Sequence, residues 1–376
     1  MSNKLIIAAA GSGKTTLLVK KSLAIRDEKI LITTYTRENK DEIIKKFFYL
    51  NGCIPENITV KTWFSFLIQH GVKPYQSVIY EGDVAGLEFA HEKSGVKYHM
   101  KDGKPVYWSE SEPQYHYFSK NKRIYSDKVS KFVVKADKLS RGLVFKRIEK
   151  IYQHIFIDEV QDMAGYDFEV IKLLFSVDSN ILLVGDPRQV TYHTHWETKH
   201  KKYINGKIID FITEKCRKGS VEIDCTTLNK TYRNNKEICT FANSICSNFA
   251  PCTYEDRPPT GHDGVFFVST SDVDKYLSEF NPMQLRDSKR VQVNTDYPVI
   301  NFGNSKGRTF DRVLIYPTKP ILEWLFDHNK ELVPQSQSKF YVAVTRAKHS
   351  VAIVVDDEIS TLPEGIQKYS THQQNN

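Results

Sequence analysis

Residues 8–15 read Ala-Ala-Ala-Gly-Ser-Gly-Lys-Thr and directly follow a short hydrophobic segment. This is the pattern of a Walker A loop with alanine at its first conserved position, in which backbone N–H groups surround nucleotide phosphates. In such a loop Lys14 reaches the β- and γ-phosphates, Thr15 is a Mg²⁺ ligand, and the following helix adds the partial positive charge of its N-terminus. We therefore predict a nucleoside triphosphate site with Mg²⁺, formed by Ala10, Gly11, Ser12, Gly13, Lys14, Thr15 and Thr16.

Two acidic residues end a second hydrophobic segment about 140 residues further along the chain, where 155–162 read Ile-Phe-Ile-Asp-Glu-Val-Gln-Asp. Open α/β sheets bind ligands at the carboxyl ends of their strands, so Asp158 is suitably placed to hold Mg²⁺, directly or through water. Glu159 would orient and deprotonate the water that attacks the γ-phosphate. An acidic turn after a strand is common by itself. The prediction therefore depends on its position after the Walker A loop.

Short hydrophobic runs alternate with helical patterns in the first half of the chain, which is typical of a parallel sheet covered on both faces. Candidate strands are 5–9, 30–35, 58–62, 154–158 and 181–184, and candidate helices are 16–26, 39–50, 64–69 and 166–175. A second set of candidate strands comprises 265–268, 298–302, 313–316 and 351–355. We predict an α/β protein with one domain over 1–215 and another over 216–376, ending in a polar tail at 370–376.

The alternation stops between about residues 72 and 128, and we interpret this segment as an insertion into the first domain. From Lys93 to Lys150 the chain has 15 Lys and Arg residues against 6 Asp and Glu, together with Tyr98, Tyr107, Trp108, Tyr115, Tyr117, Phe118 and Tyr125. Basic side chains among aromatic rings suit a nucleic-acid strand, because phosphates attract cations and bases stack on rings. A lysine-rich solvated surface explains the same composition, and both interpretations stay open.

Composition limits the class of protein. No stretch approaches the roughly 20 apolar residues of a membrane-spanning helix, and the first hydrophobic segment leads into the nucleotide loop rather than a signal-peptide cleavage site. We therefore expect a cytoplasmic protein without a membrane partner. The six cysteines contain no Cys-x-x-Cys pair. This favours reduced, structural thiols; the alternative is an iron–sulfur cluster held by the last five cysteines.

Eight motifs, including the two already described, resemble in order those of the UvrD/Rep/PcrA group of superfamily-one DNA helicases. The other six lie at 34–40, 62–66, 184–189, 228–234, 303–311 and 341–347. The resemblance implies two RecA-like domains with parallel sheets and an ATP site in the cleft between them. It also implies nucleic-acid contacts by Thr34, Thr36, Arg37, Thr62, Trp63, Phe64, Tyr192 and Trp196. For ATP it implies γ-phosphate sensing by Gln189, adenine stacking by Tyr232, contacts by Lys306 and Gly307, and cations from Arg233 and Arg346.

Arginine suits the last of these roles because its planar fork stays charged and binds phosphate oxygens bidentately. Arg233 and Arg346 lie in the second half of the sequence, far from the Walker A loop. A cation supplied from a second domain neutralises the transition state only after the domains close, which ties hydrolysis to domain motion. Taken singly, Arg346 could be a surface arginine and Tyr232 a core residue. The order of the eight motifs favours the functional interpretation.

The sequence also departs from the helicases it resembles. They carry a large insertion between the fourth and fifth motifs, whereas about 70 residues separate Arg233 from Gly303 here. We expect a compact, ATP-dependent translocase or helicase on single-stranded DNA, with 3′→5′ polarity implied by the resemblance. The alternative is a DNA-sensing ATPase that switches a partner effector such as a nuclease, similar to compact helicases of anti-phage systems such as Gabija. Retention of Lys14, Asp158 and Glu159 disfavours a scaffold without turnover.

Overall fold

The computed structural model describes residues 3–190, 199–217, 219–358 and 361–370. The chain divides into two compact units, which we call unit 1 and unit 2. Unit 1 comprises Met1–Ile6, Lys14–Gly185 and His193–Asp224, and unit 2 comprises Ile7–Gly13, Asp186–Tyr192 and Cys225–Asn376. Two short segments, 7–13 and 186–190, therefore pack with unit 2 although the residues on their unit 1 side in sequence pack with unit 1. The domain boundary near residue 215 stays a prediction.

The described residues form eighteen strands and twelve α-helices. The strands are β1 (Asn3–Ala8), β2 (Ile30–Thr34), β3 (Ile58–Thr62), β4 (Gly86–Glu88), β5 (Val96–His99), β6 (Pro105–Tyr107), β7 (Arg123–Tyr125), β8 (His154–Ile157), β9 (Asn180–Gly185), β10 (Val221–Leu228), β11 (Lys230–Thr231), β12 (Thr253–Tyr254), β13 (Gly264–Ser269), β14 (Met283–Arg286), β15 (Val299–Asn301), β16 (Phe310–Ile315), β17 (Ala347–Val355) and β18 (Gln367–Lys368). The α-helices are α1 (Lys14–Leu23), α2 (Arg37–Asn51), α3 (Trp63–Leu67), α4 (Pro113–His116), α5 (Val129–Leu139), α6 (Leu143–Ile151), α7 (Tyr166–Leu174), α8 (Ile208–Lys215), α9 (Lys236–Ile245), α10 (Val273–Phe280), α11 (Lys319–Phe326) and α12 (Pro334–Val344).

The first sheet has the strand order β10-β1-β9-β8-β2-β3. Strand β2 pairs in parallel with both β3 and β8, and β8 pairs in parallel with β9. All five residues of β2 are buried, as expected for an interior strand of a sheet covered on both faces. The five candidate strands of the first half correspond to β1, β2, β3, β8 and β9, and their bounds differ by at most two residues.

The second sheet lies in unit 2, has the order β15-β14-β16-β17-β13-β18, and all five of its neighbouring pairs are parallel. The sequence patterns identified four of these six strands and missed β18 and β14, the second of which reads Met-Gln-Leu-Arg. Its polar residue Gln284 is fully buried, and the side-chain amide bonds the carbonyls of Asn294 and Tyr297 and the hydroxyl of Tyr316. The chain thus has two six-stranded sheets with helices between their strands, which confirms the predicted α/β fold class.

The segment predicted as an insertion folds into small elements of its own. Strands β4 and β7 pair in parallel, and β5 and β6 form an antiparallel pair. Tyr117 and Phe118 are buried and pack edge to face on Phe132 of α5, so part of the aromatic content of this segment is core. No helix in the described part of the chain combines the length and the apolar character required to cross a bilayer.

Candidate functional site

The Walker A loop requires glycine at two positions for its backbone shape. Gly11 has φ +72° and Gly13 has φ +87°, a left-handed conformation that side chains disfavour. A Cβ atom on Gly11 would lie 2.6 Å from Cβ of Arg233 and 2.8 Å from Oγ1 of Thr231, so that motif also approaches the loop closely. The amide of Tyr232 donates to the carbonyl of Gly11 over 3.0 Å. The loop turn and the 228–234 motif therefore pack together in unit 2.

One buried side-chain group of the loop, the hydroxyl of Ser12, has no hydrogen-bond partner among the described residues. Ser12 is 3% exposed. Ala10 is buried in the hydrophobic core of unit 2, and α1 begins at Lys14 with Thr15 and Thr16 in its first turn. A buried hydroxyl without a partner beside a helix N-terminus fits an anionic ligand such as a phosphate.

The acidic pair follows β8 in unit 1. Asp158 is 3% exposed, and burial raises the pKa of its carboxyl group to about 7, with a further contribution from the charge of Glu159; the ammonium group of Lys14 acts in the opposite direction. A buried carboxyl group held this far from its usual range is in an environment that a divalent cation would neutralise. Together with the oxygen-rich ligand chemistry that Mg²⁺ prefers, this fits the predicted metal role of Asp158.

Glu159 occupies an unusual backbone position. It has φ +55° and ψ +40°, a left-handed conformation that is uncommon outside glycine and concentrated at functional sites. Its amide donates to Oδ1 of Asp158 over 2.9 Å, and its carboxylate accepts a hydrogen bond from the side-chain amide of Gln161. The turn thus ties the backbone of Glu159 to the carboxyl group of Asp158, and Gln161 orients the carboxylate of Glu159.

Three sequence-distant residues of the predicted catalytic set come together in unit 2. Nη2 of Arg346 donates to Oε1 of Gln189 over 3.2 Å, across 157 positions of sequence. Gln189 in turn donates through Nε2 to Oδ2 of Asp186 over 2.7 Å. Nη1 of Arg233 donates over 3.1 Å to the carbonyl of Thr345, which directly precedes Arg346. Arg346 is 1% exposed, and Nε and Nη1 also bond the carbonyls of Val342 and Arg308.

The other predicted nucleotide residues of unit 2 lie at its surface. Tyr232 is 50% exposed, and the ammonium group of Lys230 lies 5.4 Å from its ring centre. Its ring is therefore accessible to a stacking base. Lys306 is half-buried at the end of a 3₁₀ turn, and Gly307 follows it in an exposed, left-handed conformation with φ +80°.

The residues predicted to contact nucleic acid differ in accessibility. Arg37 is exposed, whereas the Thr34 hydroxyl is buried without a partner among the described residues. Thr36 and Thr62 are N-caps of α2 and α3, and their hydroxyls accept the amides of Asn39 and Ser65. Trp63 is fully buried and Phe64 is 4% exposed. Tyr192 and Trp196 lie outside the described residues. All eight contacts stay predictions.

The basic aromatic segment presents cation–ring pairs. The ammonium group of Lys93 lies 4.3 Å from the ring centre of Tyr107, and that of Lys97 lies 4.2 Å from the Trp108 ring, which stacks on Tyr115 at 4.5 Å. Strand β5 is exposed along its whole length. Such a surface offers both cations and ring faces to a nucleic-acid strand.

Sequence reasoning assigned no role to Asp186, Arg188 or Asn234, although each lies within a quoted motif. Arg188 bonds Oδ1 of Asp186 through Nε and the carbonyl of Ala8 through Nη2, and it is 6% exposed. Asn234 bonds the carbonyls of Thr345 and Ala347. No signal in the sequence singled them out, because the stretches 184–189 and 228–234 are themselves rich in polar residues.

Comparisons with known proteins bear on this site. A model of the UvrD/REP helicase N-terminal domain matches residues 108–200. The chain is 30% identical over 121 residues to a probable DNA helicase II homolog of Mycoplasma genitalium, a match that covers 32% of this chain and 16% of that protein. It is 28% identical over 108 residues to DNA helicase II of Haemophilus influenzae, covering 29% and 13%. The predicted resemblance to UvrD-like superfamily-one helicases is confirmed.

The UvrD-like match contains Asp158, Glu159 and Gln189 but neither the Walker A loop nor Arg233 and Arg346. The chain aligns with no more than 16% of the length of these two relatives. In a structural comparison, the chain resembles an arterivirus helicase, nonstructural protein 10, with a TM-score of 0.49 and 15% identity; the match covers 95% of this chain and 60% of that one.

Proposed function

We propose that the chain is an ATP-hydrolysing motor of the UvrD type that moves along single-stranded DNA, with 3′→5′ polarity. The observation that carries the proposal is the hydrogen bond from Arg346 to Gln189, together with the bond from Arg233 to the carbonyl of Thr345, the residue before Arg346. These residues come from three separate motifs. Their hydrogen-bonded arrangement supports a shared role in sensing the γ-phosphate.

Lys14 and Ser12 would contact the phosphates of ATP, and Thr15 and Asp158 would hold Mg²⁺. When bound, Mg²⁺ supplies Lewis-acid neutralisation of phosphate charge. Glu159 would accept a proton from the attacking water, and Gln161 holds its carboxylate in one orientation. Gln189 accepts from Arg346 and donates to Asp186, so its amide cannot rotate without breaking both bonds. A change at Arg346 would therefore be transmitted through Gln189.

For the nucleic-acid track, the proposal relies on exposed side chains. Arg37 at the start of α2 and Ser65 in α3 are exposed, as is β5 with Lys97. Phosphate contacts by the cations Arg37 and Lys97 would make the affinity for nucleic acid fall steeply as the salt concentration rises. We expect oligo-dT to stimulate ATP hydrolysis, and we expect this stimulation to weaken strongly between 50 and about 200 mM salt.

The first test is Glu159→Gln in the full chain. Because the substitution removes the base but keeps the shape, ATP binding should persist while steady-state hydrolysis falls by at least about 100-fold. Binding is measured with a fluorescent ATP analogue and hydrolysis by phosphate release. Turnover close to that of the wild-type chain would refute the assignment of Glu159.

A second candidate function is a DNA-sensing ATPase that switches a partner effector, such as a nuclease of an anti-phage system. The region between Arg233 and Gly303 favours it. Its elements are α9, α10 and strands β12 to β15. Three of these strands, β13, β14 and β15, belong to the second sheet, and both helices pack beside that sheet rather than forming a further domain. Displacement of streptavidin from one end of an oligonucleotide separates the two functions. A motor displaces it from the 5′ end, whereas a switch hydrolyses ATP without displacing it.

A further inference from the structure

Three segments of unit 1 meet at the carboxylate of Asp167, which is fully buried in the first turn of α7. Its Oδ1 accepts the indole N–H of Trp63 over 2.8 Å and the hydroxyl of Ser130 over 2.5 Å. Its Oδ2 accepts the backbone N–H of Ala164 over 3.3 Å. Charge-assisted bonds to a buried carboxylate are among the stronger polar interactions in a protein, and removing one donor leaves charge unsatisfied.

Two of these three segments belong to different parts of the proposed mechanism. Trp63 begins α3, whose exposed Ser65 and N-cap Thr62 form the surface proposed to contact nucleic acid. Ala164 lies in the loop that continues from the acidic pair, five residues after Glu159. One carboxylate therefore joins the start of α3, the protein helix proposed to contact nucleic acid, to the loop that carries the proposed catalytic base.

The third segment, at Ser130 in α5, takes no part in the proposed function. Ser130 and Trp63 bond the same oxygen atom of Asp167 and are both fully buried. Removal of either donor should therefore take one hydrogen bond from the same carboxylate oxygen. Only removal of the Trp63 donor breaks the bond to α3.

We propose that Asp167 is a positioning residue that couples nucleic-acid binding at α3 to the Glu159 loop, with Trp63 as its internal anchor rather than a base-stacking ring. The inference rests on the proposed function. When a strand bound to Thr62 and Ser65 shifts α3, the Trp63 indole moves with it, and the carboxylate passes the displacement to the backbone at Ala164. Coupling of this kind requires energetic evidence and not only adjacency.

The test compares Trp63→Phe, which removes the N–H donor and keeps an aromatic ring, with Ser130→Ala as matched control. For each full-length variant, the ratio of oligo-dT-stimulated to basal ATP hydrolysis is measured, together with the oligo-dT concentration at half-maximal stimulation and the melting temperature. Trp63→Phe should lower the ratio about fivefold or more, and Ser130→Ala should keep it within about twofold, both measured at a temperature well below the melting temperature of either variant. Asp167→Asn should lower the ratio as Trp63→Phe does.

Equal losses of the ratio in Trp63→Phe and Ser130→Ala would mean that the carboxylate is purely structural and would overturn the inference. So would an unchanged ratio in Trp63→Phe. A wild-type chain that oligo-dT does not stimulate would overturn the proposed function as well, so the two failures are distinguishable. Because Trp63→Phe also removes part of a fully buried ring, its melting temperature is measured to show separately whether unit 1 still folds.

Discussion

The contact between the Walker A loop and the 228–234 motif can be tested with a single methyl group. Gly11→Ala adds a Cβ 2.6 Å from Cβ of Arg233 and 2.8 Å from Oγ1 of Thr231. Carbon atoms in contact prefer about 3.5–4.0 Å, so one side must move by roughly 1 Å. Arg233 cannot easily retreat, because its amide bonds Thr231 and its guanidinium bonds the carbonyl of Thr345.

Two terms contribute to the expected loss of stability. A left-handed conformation at a residue with a Cβ costs about 1–2 kcal/mol. Overpacking against atoms that cannot relax adds about 1–3 kcal/mol. Gly261→Ala provides the matched control, because Gly261 lies in the same unit with φ +86° and nothing lies within 4 Å of its added Cβ. Its substitution should cost the first term alone.

Thermal and urea unfolding of the two variants measure this difference, which corresponds to roughly 2–4 °C for each kcal/mol. The overlap also displaces Arg233, so Gly11→Ala should bind a fluorescent ATP analogue at least about tenfold more weakly, a loss of about 1.4 kcal/mol, while Gly261→Ala binds normally. If Gly11→Ala were no less stable than Gly261→Ala and bound the nucleotide equally well, the packing of the loop on Arg233 would be refuted.

Two predictions concern stability at low pH. Burial lowers the pKa of His70 to about 4, so below about pH 6.5 the unfolded chain binds a proton at this histidine and the folded chain does not. The free energy of unfolding should therefore fall between pH 6.5 and 4, by at most about 3 kcal/mol. His70→Gln should flatten that part of the profile in urea unfolding; parallel profiles would contradict this. Partial burial would raise the pKa of Glu110, but Lys131 and Lys135, at 2.8 and 3.1 Å, lower it to about 2. This stabilisation is present above about pH 4.5 and is lost as pH falls towards 2. Because Glu110 is 42% exposed, Glu110→Gln should cost only about 0.5–1 kcal/mol at pH 7. Limited proteolysis of the segment between β6 and α5 should then be slightly faster. An unchanged rate of cleavage would mean that the ion pairs do not hold this segment on α5.

The sequence alone predicted the parallel strands on either side of the glycine-rich Walker A loop and of the acidic pair at 158–159. Hydrophobic runs such as β2 and β8 are local signals, because an interior parallel strand is apolar on both faces. It missed β14, since buried Gln284 resembles a surface residue until its hydrogen-bonding partners are known. The Walker A loop was predictable for a similar local reason: its backbone shape needs glycine at positions 11 and 13.

Side-chain partners were decided only by the tertiary structure. Trp63 fits a nucleic-acid motif by its position, yet its indole N–H bonds Asp167, which lies 104 residues away in sequence. Gln189 and Arg346 are 157 residues apart and meet in one hydrogen bond. A motif fixes which residue types occur at a short spacing, because backbone geometry is local. Which atoms those residues bond depends on how distant segments pack, and no short stretch of sequence encodes that.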